Sequence, residues 1–341
     1  MIPTIRDVAS KANVSFQLAA AVLGRKKYAR ASAHTKEKIF SAAESLGYVP
    51  NASARILRGG ASRIIGVLID SQAPESTYKL LAEVEHAADL LGYRILTAQA
   101  HDKPEKLLDS YHALRQNGVD GIISFSHDYA QFGCHLDRQL RDEPKIVFVL
   151  NTDEENPSAV DVDLPGAMAA ATEHLRSRGY RKTALVLHGI CLEKLTMSTR
   201  KRLEGFRRAC PEGEVFVLPS TELDIPPLEK ECRTLVREKL LPGGFDSAIT
   251  MSDLSAVILM NQLMAKKVRI PQDFGVMGSD DRPVGMCFPV KLTTLHFDRE
   301  KLASAALKLL LDKIAGKTEP VRITLPMKLI VRASTKKKYE V

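Results

Sequence analysis

Apolar residues in the first fifty positions recur at helical spacing. Ile5, Val8, Ala9 and Ala12 fall at i, i+3, i+4 and i+7, which lines one face of a short helix. Thr4 precedes them as a hydroxyl cap, and Asp7 places a carboxylate near the positive helix end. Asn13 ends that helix. Ser15 then caps a second one whose inward residues are Leu18, Val22 and Leu23, and Gly24 closes it. A third amphipathic segment starts at Ser32 or Thr35, carries Ile39, Ala42, Ala43 and Leu46 on one face, and stops at Gly47. Helix, short turn, helix, with a third helix behind, is the spacing of a helix-turn-helix around one small core.

Beyond residue 60 the pattern changes to short apolar runs alternating with helical periods. Candidate strands are 64–69, 94–97, 121–125, 145–150, 183–187, 215–218, 248–251 and 275–278. Helices are expected near 75–91, 104–117, 165–178, 199–210, 226–240, 254–267 and 299–315. Strand-helix alternation of this length argues for parallel sheets covered on both faces. Two sets of about four units suggest two similar lobes, and Leu91-Gly92-Tyr93-Arg94 and Arg178-Gly179-Tyr180-Arg181 occupy matching places at helix ends.

Composition adds a division of labour. The chain has 341 residues, 45% apolar and 26% charged, enough for two or three soluble domains and unlike a disordered or fibrous chain. Of the net charge of +8, the first 60 residues supply +7, with ten basic against three acidic side chains. A small basic head on a nearly neutral body suggests a polyanion-binding module joined to something with a different task, and excludes a uniformly basic ribosomal type. Arg6, Asp7 and Lys11 interrupt any signal peptide, and no stretch approaches the ~18 apolar residues of a membrane span, so a cytosolic protein is expected. The five cysteines are odd in number, widely spaced and never in a C-x-x-C pair, which fits reduced packing residues. The usual phosphate-loop, dinucleotide, nucleophile-elbow and zinc motifs are missing, and the nine histidines show no metal-ligand spacing and read mostly as surface or cap residues. No enzyme activity, cofactor or metal is expected.

At the amino end of the second helix, Phe16 and Gln17 would face a DNA major groove, where glutamine can bond adenine in bidentate fashion. Arg25, Lys26, Lys27 and Arg30 follow, placed to neutralise flanking phosphates. Here the chain resembles the LacI/GalR family of bacterial transcription regulators. The matching motifs are Thr4-Ile5-Arg6-Asp7-Val8-Ala9, Asn13-Val14-Ser15, Thr35 through Ala43, Leu46-Gly47-Tyr48-Val49-Pro50-Asn51 and Ala54-Arg55-Ile56-Leu57. The likeness continues through Ile64-Ile65-Gly66-Val67 to Val331-Arg332-Ala333-Ser334-Thr335, essentially the whole chain. It implies that Thr4, Ser15, Phe16, Gln17, Leu18, Ala21, Arg25 and Lys26 of the headpiece meet DNA. The family's usual Thr-Val-Ser-Arg is replaced by Leu18-Ala19-Ala20-Ala21, so a hydroxyl is missing at Ala20 and a guanidinium at Ala21. Discrimination of ~1 to 3 kcal/mol per lost bidentate contact then moves to Gln17 and the phosphates, and an unusual operator or looser specificity is expected.

Asn51 to Arg58 reads as about two helical turns, capped by Asn51 after Pro50 and followed by Gly59-Gly60. So short a helix is unstable alone. The resemblance implies that it folds only as a pair in the minor groove, with Leu57 as the wedge that opens a base step, Asn51 and Ala54 nearby, and Arg55 and Arg58 on phosphate or the neighbouring subunit. It further implies a small all-α headpiece (1–49), a hinge (50–60) and an α/β periplasmic-binding-protein-like core of two lobes with parallel sheets. Crossings near 162, 290 and 322 would leave a first lobe of 61–161 with 291–322, a second of 162–290 with 323–335, and a basic tail, 336–341. That tail is too short for an added tetramerising helix, so a homodimer is expected.

Ligands of open α/β sheets bind beyond the carboxyl ends of the strands. That rule selects Asp70, Asn151, Ser252, Asp253, Asp280 and Asp281. Arg202, in Arg202-Leu203-Glu204-Gly205-Phe206, matches the family arginine that anchors the effector, Asp280 its acidic partner and Asn151 a polar contact. Asp253 and Asp281 read better as helix caps. At Ser252 the family often has asparagine. The effector-binding candidates are therefore Asp70, Asn151, Arg202, Ser252 and Asp280. The resemblance implies a sugar or related polyol as effector, although the chain has no Trp to stack on one; Phe125, Tyr129, Phe132 and Phe288 are the replacements. The partners expected are operator DNA, a small molecule and a second copy of the chain, with no membrane. A regulator deaf to any effector is the alternative. A solute-binding receptor of the same fold would lack the basic head.

Overall fold

The computed structural model describes residues 3–24, 29–48, 61–100, 103–128, 138–152, 156–189 and 195–336. The expected hinge, the basic run from Arg25 to Lys27, Tyr129, Phe132, Cys134, Cys191 and the tail beyond Lys336 lie outside these residues. The chain divides into two compact units, residues 1–62 and 63–341.

The first unit holds α1 (Ile5–Lys11), α2 (Phe16–Leu23) and α3 (Ala33–Leu46). Val8, Ala19, Val22 and Ile39 form its core, with Leu18, Leu23 and Leu46 packed against them. Asn13 takes the left-handed backbone (φ 54°) that ends α1. Ser32 caps α3 by accepting from Thr35 N at 3.1 Å, and Gly47 (φ 61°) closes it.

The second unit is built as two lobes. The first contains β1 (Ile64–Ile69), α4 (Glu75–Leu90), β2 (Arg94–Gln99), α5 (Pro104–Gln116), β3 (Gly121–Ser124), α6 (Arg138–Arg141), β4 (Ile146–Val149) and β5 (Ala159–Val162). The second contains α7 (Leu164–Ser177), β6 (Thr183–His188), α8 (Met197–Ala209), β7 (Glu214–Leu218), α9 (Ile225–Leu235), β8 (Ser247–Thr250), α10 (Asp253–Ala265), β9 (Gly275–Ser279), α11 (Val284–Cys287) and β10 (Thr293–His296). The chain then returns to the first lobe with α12 (Arg299–Ile314) and β11 (Arg322–Leu325), and ends in the second with β12 (Lys328–Ile330).

Each sheet has six strands, in the orders β11-β5-β4-β3-β1-β2 and β12-β10-β9-β8-β6-β7. Every pairing between the described strands is parallel except β12 with β10. Two boundaries differ from the sequence expectation. The second crossing follows His296 rather than falling near 290, because Thr293–His296 pairs with β9. The third falls between Leu325 and Lys328 rather than at 322, because Arg322–Leu325 pairs with β5. One apolar cluster runs from Val67 and Val147 under the first sheet, through Leu164 and Phe297 at the junction, to Leu185 and Ile249 under the second. Of the described cysteines, Cys232 is buried and Cys210 half-buried, whereas Cys287 is exposed, against the expectation that it packs.

Candidate functional site

The face expected to read DNA is the start of α2. Ser15 caps it, accepting from Leu18 N at 3.2 Å, and Phe16 and Gln17 are exposed. Leu18 is half-buried and packs inward. Thr4 donates from its backbone N and its hydroxyl to Asp7 at 2.7 and 2.8 Å, which holds Asp7 below the usual carboxylate range. Ala21, expected to offer a methyl group to the groove, is only 9% exposed. A single methyl does not reach past its helical neighbours. Arg25, Lys26, Asn51, Ala54, Arg55, Leu57 and Arg58 fall outside the described residues.

In the body, the order β2-β1-β3 in one sheet and β7-β6-β8 in the other puts the switch points between β1 and β3 and between β6 and β8. Asp70 follows β1, Asp128 lies beyond β3 and Asn151 follows β4. Opposite them, His188 ends β6, Ser252 follows β8 and Asp280 follows β9. A cavity of about 490 Å³ lies between, and all five sequence candidates, Asp70, Asn151, Arg202, Ser252 and Asp280, line it. The loops that present them are strained in matching ways. Leu150 and Asn151 have φ of 65° and 50°, and Asp280 and Asp281 have 91° and 52°, four side-chain-bearing residues in the left-handed region.

Arg202 comes from α8. It is buried, and its Nη1 donates to Ser198 Oγ and, at 3.3 Å, to Ser198 O, while Nε has no acceptor. Burial lowers its pKa, opposed by Asp280 and Asp128. Burial likewise raises Asp280, against the attraction of Arg202 and together with repulsion from Glu222. Asp70 accepts from Ser126 Oγ at 2.6 Å. Ser252 caps α10, accepting from Ser255 N at 3.2 Å. Asp253 is satisfied within the second lobe by Thr294 Oγ1 at 2.6 Å and Arg282 N, and Asp281 by Arg332 at 2.6 Å.

Residues 4–51 match the model of "Bacterial regulatory proteins, lacI family", and residues 172–335 match a periplasmic binding protein-like domain. The chain belongs to the LacI family. It is 28% identical over 342 residues to the HTH-type transcriptional repressor PurR of Haemophilus influenzae (strain PittEE), covering 98% of each chain. Among solved structures, the lac repressor dimer bound to operator and the anti-inducer ONPF is similar with a TM-score of 0.85 and 24% identity, over 98% of this chain and 100% of that one. A transcriptional regulator CelR-cellobiose complex is similar with a TM-score of 0.64 and 25% identity, over 97% and 99%.

This LacI-family cleft also contains residues that the sequence reading passed over. Asp128 accepts from Met197 N at 2.6 Å and Ser198 N at 3.0 Å, so a first-lobe carboxylate holds the start of a second-lobe helix. Glu222 lines the cavity and pairs with Arg282 at 2.6 Å, and Arg282 reaches the first lobe through Glu75 at 2.9 Å. Lys201 donates from the second lobe to Asp161 and Thr152 O of the first. His188, expected at the surface or a cap, lines the cavity. Of the proposed ring platforms, Phe125 lines it, whereas Phe288 packs against the second-lobe core. The strand-end rule would have reached Asp128 and Glu222 with a window of four residues rather than one or two.

Proposed function

We propose that the chain is a homodimeric transcription repressor, acting in the bacterial cytoplasm, that binds duplex operator DNA through its headpiece under the control of a small polar molecule, of sugar or polyol class, held between the lobes. It works by binding, without a catalytic step. The observation that carries this is the convergence of Asp70, Asn151, Arg202, Ser252 and Asp280, from both lobes, on one cavity of about 490 Å³. The relatives named as repressors, the solved dimer on its operator and the cellobiose complex support it. The ligand would favour one angle between the lobes and so one spacing of the two hinges, by no more than its differential affinity for the two arrangements.

Thermal-shift screening of sugars and nucleobases against wild type and Arg202→Ala, followed by operator binding with each hit, tests it. A hit should stabilise wild type, leave the variant unmoved and change operator affinity; equal stabilisation of both proteins removes the cleft assignment. A second reading, a regulator that answers to no effector, is favoured by the cross-lobe bonds of Lys201, Arg282 and Asp128, which join the lobes through the protein's own groups. Selection from a random DNA pool addresses the headpiece: with Ala20 and Ala21 in α2, preference should concentrate at the base facing Gln17, and strong preference at every position of a half-site would refute this.

A further inference from the structure

Among the described residues, the cleft is lined by more carboxylates than guanidinium or ammonium groups. Asp70, Asp128, Glu222 and Asp280 line it against one guanidinium among the described lining residues, that of Arg202. The cations around it are engaged. Arg282 is shared between Glu222 and Glu75, Lys201 is held by Asp161, and Arg299 donates to the backbone carbonyl of Asp280 rather than to its carboxylate. Among the described residues, the Asp280 carboxylate accepts from hydroxyls, those of Ser279 at 3.5 Å and Ser76 of the other lobe. Glu222 Oε1 and His188 Nε2 lie 3.4 Å apart, both buried, and neither atom has a closer polar partner among the described residues, while Arg282 donates to the other carboxylate oxygen, Oε2. Arg202, nine-tenths buried, still has a free Nε–H.

A buried carboxylate met only by hydroxyls, as Asp280 is, is costly, and an ionised donor is the strongest remedy. We propose that the effector carries a positively charged nitrogen lying between Glu222 and Asp280, on a hydroxyl-bearing body whose oxygen meets Arg202: an amino sugar or aminated polyol, rather than a neutral or phosphorylated one. This rests on the ligand-controlled reading above. An ammonium at Glu222 also competes with Arg282 for that carboxylate, and Arg282 is the residue that reaches Glu75 across the cleft. Ligand charge is thereby read out as a change in a bond between the lobes. The raised pKa of Asp280, caused first by burial and then enlarged by Glu222, fits a carboxylate waiting for a cation.

The test has two arms on the full chain. In the first, glucose, galactose and ribose frameworks are titrated, each as the neutral sugar, the amine and the phosphate. Within a framework that binds, the amine should bind at least about tenfold tighter than its hydroxyl parent, equivalent to about 1.4 kcal/mol, and the phosphate should not bind. Glu222→Gln should abolish that preference while the neutral parent still binds. A phosphate that binds as well as the amine, or an amine no better than its parent, overturns the proposal and leaves ligand control standing. Failure of every form to bind or to move operator affinity overturns both. The second arm needs no ligand. Asp280→Asn should raise the melting temperature by about 2–4 °C at pH 7.5, with a gain that shrinks as the pH is lowered. An unchanged or lower melting temperature shows that the charge is already answered, and overturns the proposal.

Discussion

Asp128, half-buried, and Asp253, buried, are carboxyls that the fold keeps at a cost. Burial pushes Asp128 up to about 6, against the bonds from Ser198 and Met197, and pushes Asp253 up to about 7, with Asp280 and Asp281 adding repulsion. A raised carboxyl binds its proton more tightly folded than unfolded, so stability should fall as the pH rises from about 4 to about 7, by roughly 3 kcal/mol for Asp128. Below that window the sign reverses. Burial alone would raise Asp161, but Lys201 and Thr152 hold it down, and His188 and Arg282 do the same for Glu222. Their protonation loses those bonds. Urea unfolding across pH 4–7 should therefore lose part of its slope in Asp128→Asn; an unchanged slope would show that Asp128 titrates normally. Asn151 separates backbone from side chain. At φ 50° an alanine should cost about 1 kcal/mol where a glycine costs less, while both remove the amide. Equal loss of ligand affinity in Asn151→Ala and Asn151→Gly, with unequal loss of stability in urea, is the expected outcome. Asp70, Arg202 and Asp280 were legible because strand ends and a family motif point at them. Left-handed backbone at Leu150 was not legible, because leucine gives no sign of it.

Helix α8 shows how an element aims a side chain. A Cβ at Gly205 would stand 2.2 Å from Pro165 O and 2.8 Å from Met168 Cβ, so only glycine lets α8 lie this close to α7, with Arg202 one turn earlier. Gly205→Ala should cost about 1–3 kcal/mol in thermal or urea unfolding and weaken ligand binding, by displacing Arg202 rather than deleting it. Retained affinity would mean that α8 can shift without moving the guanidinium. The eight strands and seven long helices of the body were legible from periodicity. Four strands were not: Ala159–Val162, Thr293–His296, Arg322–Leu325 and Lys328–Ile330. They have three or four residues, polar residues (Asp161, Thr294 and Thr324) interrupt three of them, and the last two lie at sheet edges, too short for a period to declare itself. The boundary errors at 290 and 322 follow directly from missing them.

At the scale of the molecule, bonds between the lobes decide how readily the cleft opens. Lys201 and Asp161 are nearly buried, with side chains 18% and 8% exposed, and each comes from a different lobe. Lys201→Met leaves Asp161 with Thr152 but without its cation, and should cost roughly 3 kcal/mol or more, with a more open solution structure by small-angle scattering. Unaltered scattering would mean that Asp128 and Arg282 suffice. The charge segregation was legible from counting alone, since the first 60 residues hold nearly all the excess. The cross-lobe bonds were not, because they join residues as far apart in sequence as Glu75 and Arg282.

The interleaving of the lobes also sets an order of synthesis. One edge strand of each sheet is made after all its other strands, Arg322–Leu325 in the first and Lys328–Ile330 in the second. Ser334 then ties the second sheet together, bonding Val276 O at 2.6 Å and Thr293 N at 2.8 Å. A nascent chain that has reached Asp298 still lacks α12, which covers β3, β4 and β5. Both lobes are therefore completed by one stretch, Arg299 to Ser334, made after the other elements of each. The three headpiece helices, which lie within residues 5–46, can fold long before the rest of the chain is made.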